Sequence, residues 1–220
     1  MALPPPAKVV LLLGPSGSGK TRLAHESGLP VVRLDDFYRD DTDPDLPCLA
    51  DGSVDWDHPG SWDAAAAIDA LDILCREGRV EVPDYRFDEN RAVGSRTVDR
   101  NGSPCVVAEG IFAGELVDHL RQRDLLADAL LIVQNRWLTF VRRLVRDLRE
   151  ARKPPWYLVR QGWAKTMAEP AVVERQRRQG GRPLTRDQAR ARLRDLAADD
   201  PSDRSSFVGP VGIEPTTQGL

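Results

Sequence analysis

Cysteine is scarce, with three in 220 residues (Cys48, Cys75, Cys105). They form no C-x-x-C pair, and the odd count argues against a disulfide framework, so they read as buried or half-buried free thiols. No apolar run approaches the ~20 residues that a membrane-spanning helix needs. The opening MALPPPAK has neither the charged nor the apolar region of a secretory signal, and the expected setting is a reducing cytoplasm. Charge of one sign is also missing. The 31 Lys and Arg nearly balance 34 Asp and Glu, for a net −3, which makes no general case for a nucleic-acid or membrane partner. The cations are unevenly spread, however: 17 of them fall between Arg136 and Arg194, so the last third is locally basic. Internal repeats and a second core are absent as well, and the length suits one domain.

What is present is an alternation. KVVLLL at 8–13, VVRLD at 31–35, CVVAEG at 105–110 and ALLIV at 129–133 are short continuous apolar runs, as strands buried on both faces require. Between them lie helical patterns. Ser61 is placed to cap a helix through SWDAAAAIDALDILCRE, with Trp62, Ala65, Ile68, Leu71 and Leu74 or Cys75 on one face. Leu116, Leu120 and Leu125 or Leu126 make a weaker stripe, and Arg136 to Arg152 carries Leu138, Val141, Leu144, Val145 and Leu148 on its apolar side. Strands alternating with helices predict an α/β fold, a parallel sheet with helices on both faces.

Two stretches break the rhythm. Residues 79–98 read as a β-hairpin, RVEVPDYRF out and RTV back around a turn near Asp88 to Asn90. Such an insertion either covers a site or decorates an edge. Thr185-Arg-Asp-Gln188 spells a capping box for a last arginine-rich helix ending near Ala198. No fifth apolar run follows Lys153, which leaves the fifth strand missing or replaced by helices. Residues 1–7 are expected to be flexible, 8–198 to form the domain, and 199–220, rich in turn residues, to be disordered. Within that tail, Gly212-Ile213-Glu214-Pro215 is what GGN-ATC-GAA-CCN encodes, a string antisense to the T-arm consensus of a transfer RNA gene. The end therefore reads either as an overrun of the frame into such a gene or as an ordinary flexible tail.

Gly14-Pro15-Ser16-Gly17-Ser18-Gly19-Lys20-Thr21 matches G-x-x-x-x-G-K-[ST] at every fixed position, after an expected strand and before an expected helix. Glycines let backbone N–H groups converge on an anion, and a helix start adds partial positive charge. In this pattern the Lys20 ammonium reaches the β- and γ-phosphates of ATP and the Thr21 hydroxyl ligates Mg²⁺. The guanine-reading N-K-x-D is missing, which lowers a GTPase reading. Glu109, closing VVAE, either caps a strand end or holds the Mg²⁺ shell through water. Asp35, in DDFY at the end of the second strand, is either a strand cap or the carboxylate that takes the proton of an attacking hydroxyl. Asp57, in DWDHP, suits a ribose because its two oxygens can accept from both vicinal hydroxyls. Tyr85 and Phe87 share a hairpin face, for packing or for holding a planar base. His58, followed by Pro59, reads as structural.

GPSGSGKT, DDFY, DWDHP, VPDYRF, AEGIF and RRLVRD occur in the order and spacing of the uridine kinase family, and the resemblance covers residues 8 to about 153. It implies a P-loop NTPase-type sheet with the hairpin over an acceptor site, ATP and Mg²⁺ as donor and metal, and a nucleoside as acceptor. By the resemblance Asp35 matches the catalytic aspartate and Asp57 the one gripping the ribose. Tyr85 matches a substrate-pocket tyrosine, Phe87 a neighbouring aromatic, and Glu109 the glutamate of the E-G-I turn; Tyr38 of DDFY is expected beside them on the acceptor side. Arg143, Arg146 and Arg152 match the arginines of a helix and of a lid near 149–156; as residues alone they also fit a solvated helix face. One departure stands out: the family's hairpin carries a histidine that reads the pyrimidine edge, whereas this chain has Asp88-Glu89-Asn90 there. Asn90 can hydrogen-bond a base, yet the change keeps open a kinase for another small hydroxylated metabolite, of pantothenate or sugar type. A non-catalytic nucleotide- or RNA-binding protein, with Trp137, Trp156 and Trp163 among the arginines, would leave Asp35, Asp57 and Glu109 without a use. A homo-oligomer is compatible with the pattern.

Overall fold

The computed structural model describes residues 6–133 and 170–198. The basic helix expected from Arg136, the lid, Arg143, Arg146, Arg152 and the tail lie outside the described residues.

The sheet is built around β1 (Lys8–Leu13), whose six-residue apolar run is buried along nearly its whole length. On its two sides lie β5 (Cys105–Glu109) and β6 (Leu126–Ile132), with β2 (Val31–Arg33) beyond β5 and β7 (Arg182–Leu184) beyond β6; every pairing is parallel. Alternate residues of β1 face opposite layers. Val9, Leu11 and Leu13 join a core with α2 (Ala64–Glu77) and α3 (Val117–Gln122). Val10 and Leu12 join a second core with α1 (Lys20–Glu26) and α5 (Arg186–Ala198). Each fully buried leucine contributes about 1.5–3 kcal/mol through burial. A further helical run, α4, covers residues 170–178 and packs Val173 against the first core.

β7 corrects the expectation of a missing fifth strand. It is three residues long, mostly exposed and at the sheet edge, so it carries no apolar run to read. Pro183 is tolerated there because an edge strand has an unpaired side. Its neighbour α5 begins with the expected capping box: Thr185 N–H donates to Gln188 Oε1 (2.9 Å) and Gln188 N–H to Thr185 Oγ1 (3.3 Å). Arginines fasten this edge to the domain. Arg182 and Arg192 both reach Asp128 of β6 (2.6 and 2.9 Å), and Arg186 and Arg190 reach Glu26 of α1 (3.0 and 2.8 Å).

The α2 cap differs from expectation. Asp63 Oδ1 accepts from Ala66 N–H (2.9 Å), while Ser61 is buried in the preceding turn, donating its hydroxyl to His58 O (2.8 Å). Ala65 faces solvent and Ala67 takes the core position, because starting at Ala64 rotates the buried stripe. Cys48 is exposed, contrary to the buried reading, while Cys75 and Cys105 are buried. Cys48 sits in the irregular loop between β2 and α2, where little packs over it.

The hairpin forms its own two-stranded sheet, β3 (Arg79–Arg86) with β4 (Arg91–Asp99). A register shift lies between Pro83 and Tyr85. Val80 and Val82 point inward, and strict alternation would then turn residue 85 outward. Tyr85 is nevertheless buried, because the alternation breaks over the half-buried Pro83 and Asp84, beside a register shift whose extra residue lies on β4, where Pro83 pairs with Ser95 and Tyr85 with Ala92.

Candidate active site

The P-loop runs from the end of β1 into α1. Gly14 has φ 139°, and a Cβ there would lie 2.9 Å from both Ile132 O and Ser18 Oγ, so only glycine fits this crossing. Gly17 and Gly19 are left-handed as well, which turns the loop back on itself before the helix starts. Lys20 is buried, and its ammonium donates to Gly14 O (2.7 Å) and Pro15 O (3.1 Å) inside the loop. Thr21, one residue on, donates its hydroxyl to Glu109 Oε1 at the end of β5 (2.9 Å). A hydroxyl and a carboxylate side by side at a phosphate loop are a fitting donor pair for a hard, water-retaining cation, which takes its remaining oxygens from substrate and solvent. Among the described residues there is no cluster of three or more His, Cys, Asp or Glu that could hold an ion by itself.

β2 ends in a tight turn, Leu34–Phe37, that sends four consecutive residues to four different jobs. Asp35 turns toward the P-loop side and accepts from Ile111 N–H (3.3 Å). Burial first, and then the charge of Glu109, hold its carboxyl above the ordinary range, against the pull of Lys20. Asp36 is fully buried and paired with Arg33 (3.1 Å) and Arg96 of β4 (2.9 Å), tying the hairpin to the turn. Phe37 enters the core. Tyr38 enters a ring of aromatics.

That ring is a cage. Tyr38 lies 5.8–5.9 Å, centroid to centroid, from Trp56, Tyr85, Phe87 and Phe112, mostly edge to face. Tyr38, Trp56, Tyr85, Phe87 and Asn90 line a cavity of about 210 Å³. Both phenols are committed to backbone carbonyls, Tyr38 to Trp56 O (3.2 Å) and Tyr85 to Arg39 O (3.3 Å). Burial, helped by Asp35 and Asp57, raises the Tyr38 phenol above its usual range, and burial pushes Tyr85 up to about 12. Among the described residues of the lining, Asn90 adds a side-chain amide on a left-handed backbone (φ 50°).

Of the residues singled out from sequence, Lys20, Thr21, Glu109 and Asp35 come together at the sheet's C-terminal edge, and Tyr38, Tyr85, Phe87 and Asn90 come together in the cage. Asp57 is exposed and does not line the cavity, although its charge reaches the Tyr38 phenol. His58 is structural: Nδ1 accepts from Gly60 N–H (2.9 Å). Trp56 was not singled out, and its place beside Asp57 in DWDHP was the available signal. Arg96 has no motif around it, so its lock on Asp36 is visible only in three dimensions.

A P-loop on a parallel sheet with carboxylates at its strand ends defines a phosphotransferase that uses a P-loop and acts on a hydroxyl acceptor. Comparisons narrow the class. The chain is 30% identical over 161 residues to the uridine kinase of Deinococcus deserti, covering 70% of this chain and 74% of that one. It is 26% identical over 151 residues to the uridine kinase of Lactobacillus johnsonii, covering 64% and 68%. Its fold is similar to a protein from Silicibacter sp. TM1040 described as a fructose transport system kinase, with a TM-score of 0.57 at 18% identity over 82% of this chain and 88% of the other. No family model matches. The chain belongs to the uridine kinase family.

Proposed function

We propose that the chain transfers the γ-phosphoryl group of ATP to the 5′-hydroxyl of a nucleoside, uridine or cytidine, with Mg²⁺ as the metal. The observation that carries the reading is the setting of Asp35. It is a buried carboxylate with Lys20 and Glu109 in its electrostatic field and the Tyr38 cage next along the chain. Its carboxyl lies above the ordinary range, which suits a group that must accept a proton near neutral pH. Asp35 takes the proton of the acceptor hydroxyl as that oxygen attacks the γ-phosphorus, the bond from that phosphorus to the β,γ-bridging oxygen breaks, and ADP leaves.

Gly14, Pro15, Ser16, Gly17, Ser18 and Gly19 wrap the donor phosphates with backbone N–H groups, and Lys20 turns from the loop carbonyls to phosphate oxygens. Arg143, Arg146 and Arg152 are proposed to add charge to the same phosphates. Thr21 and Glu109 hold the metal, which when bound offsets charge on the phosphates. Tyr85 and Phe87, edge to face with each other, offer aromatic surface to a planar base, Trp56 closes the cage, and Asp57 grips the ribose hydroxyls.

A sugar- or pantothenate-type acceptor is the second reading, favoured by Asn90 standing where the family's histidine reads the pyrimidine edge. Steady-state ADP release with ATP and either uridine, cytidine, fructose or pantothenate separates the two. Turnover with uridine or cytidine above the acceptor-free rate is expected. Turnover with fructose or pantothenate alone supports the second reading, and none with any acceptor overturns both.

A further inference from the structure

Gln176 stands on α4, far from the P-loop in sequence, and is 1% exposed. Its Nε2 donates to Ile111 O (3.2 Å), and the orientation of the amide is fixed because a carbonyl can only accept. The Ile111 N–H in turn donates to Asp35 Oδ1 (3.3 Å). Ile111 is therefore held from both sides, its carbonyl by Gln176 and its N–H by the carboxylate proposed as base. The neighbouring backbone leaves little slack. Gly110 is so close that a Cβ would lie 2.7 Å from Asp35 Oδ1, and Gly181 just beyond α4 would meet Gln176 O at 2.8 Å. The other half of the Gln176 amide argues against simple packing. Oε1 is buried without a hydrogen-bond partner, a cost that an apolar side chain of the same length would avoid.

We infer that Gln176 is a positioning residue: through Ile111 it fixes the orientation of Asp35. The inference rests on Asp35 being the base of the proposed reaction. Without the Gln176 bond, the Ile111 carbonyl is free to rotate, and the turn that holds the Ile111 N–H against Asp35 loses its anchor. That N–H favours the charged carboxylate. Its loss raises the Asp35 pKa further and misplaces the oxygen that takes the proton. The neighbouring Phe112, which packs on Tyr38 and Trp62, would register the same rotation in the wall of the cage.

Gln176→Met keeps length and volume while removing both the donor and the orphan oxygen. The expected result is a kcat lowered about tenfold, the scale of an outer-shell hydrogen-bond partner. KM for ATP should be unchanged, and the acid limb of the kcat profile should move to higher pH. Melting temperature should hold or rise, because a buried unsatisfied oxygen is gone. In parallel, carbon NMR of aspartate-labelled protein should show the Asp35 carboxyl titrating at higher pH in the variant; this readout needs no acceptor. An unchanged Asp35 titration, or a lowered melting temperature with loss of rate equal at all pH values, overturns the inference. Asp35→Asn run beside it separates the two claims. If Asp35→Asn keeps wild-type kcat, the base assignment fails. If it is inactive while Gln176→Met matches wild type, only the positioning role fails.

Discussion

Gly110→Ala is a one-carbon perturbation aimed at the geometry of Asp35. A Cβ at residue 110 would lie 2.7 Å from Asp35 Oδ1 and 2.8 Å from Leu34 Cβ, where ordinary contact begins near 3.4 Å. Something must yield by about 0.7 Å. Leu34 is fully buried and its Cβ is fixed by the backbone, so the carboxylate yields most. Overpacking of this kind costs about 1–3 kcal/mol of stability. The effect on rate is larger in kind. A reacting group displaced by about 1 Å can lose about 100-fold, or about 2.7 kcal/mol of transition-state stabilisation. The expected outcome is a kcat lowered about 10- to 100-fold, with KM for ATP unchanged, since the P-loop is untouched. Steady-state ADP release at saturating ATP and acceptor measures it, with circular dichroism melting to confirm that the variant is folded. A folded Gly110→Ala protein with wild-type kcat would refute the claim that Asp35 must sit where it does.

Three further outcomes are expected. Asp35→Asn should lower kcat by several orders of magnitude with KM little changed, whereas Asp57→Ala should chiefly raise KM for the acceptor; swapped kinetic profiles would reverse the two roles. The hydrogen bond from Arg190, joined by Arg22 and Arg186, holds Glu26 at about 2, below its ordinary 4.5. A depressed carboxylate stabilises the fold above its unfolded value and loses that contribution as pH falls through the folded one. The melting-temperature gap between wild type and Glu26→Gln should therefore be full at neutral pH and close between about pH 4.5 and 2; a constant gap contradicts it. Thr185→Ala, which removes half of the α5 capping box, should cost about 1 kcal/mol in urea unfolding, and no change would mean that α5 starts without it.

The parts legible in sequence are those where one local signal decides the outcome. KVVLLL is buried on both faces, so its continuous apolar run marks β1 to the residue. Thr185 to Gln188 is a four-residue unit of self-contained chemistry, and its two ends bond as written. The hairpin was legible from its alternation, but the break in that alternation at Pro83 and Asp84, which leaves Tyr85 facing the cage, was not. β7 escaped because an edge strand of three residues has no pattern to show. At α2 the expected cap, Ser61, is buried against Trp56 O and His58 O, and Asp63, two residues on, takes the role. The P-loop and DDFY were readable as motifs. The separate fates of Asp35 and Asp36 were not, since they depend on Ile111 and Arg96, contacts 76 and 60 residues away.

The most direct test of the account is the product itself. Wild-type protein incubated with ATP, Mg²⁺ and uridine should yield a single new phosphomonoester in the phosphorus NMR spectrum. Its signal should be split into a triplet by the two 5′ protons, and Lys20→Ala should give none. A doublet, marking a 2′- or 3′-phosphate, or no phosphomonoester from uridine or cytidine, would contradict transfer to a nucleoside 5′-hydroxyl.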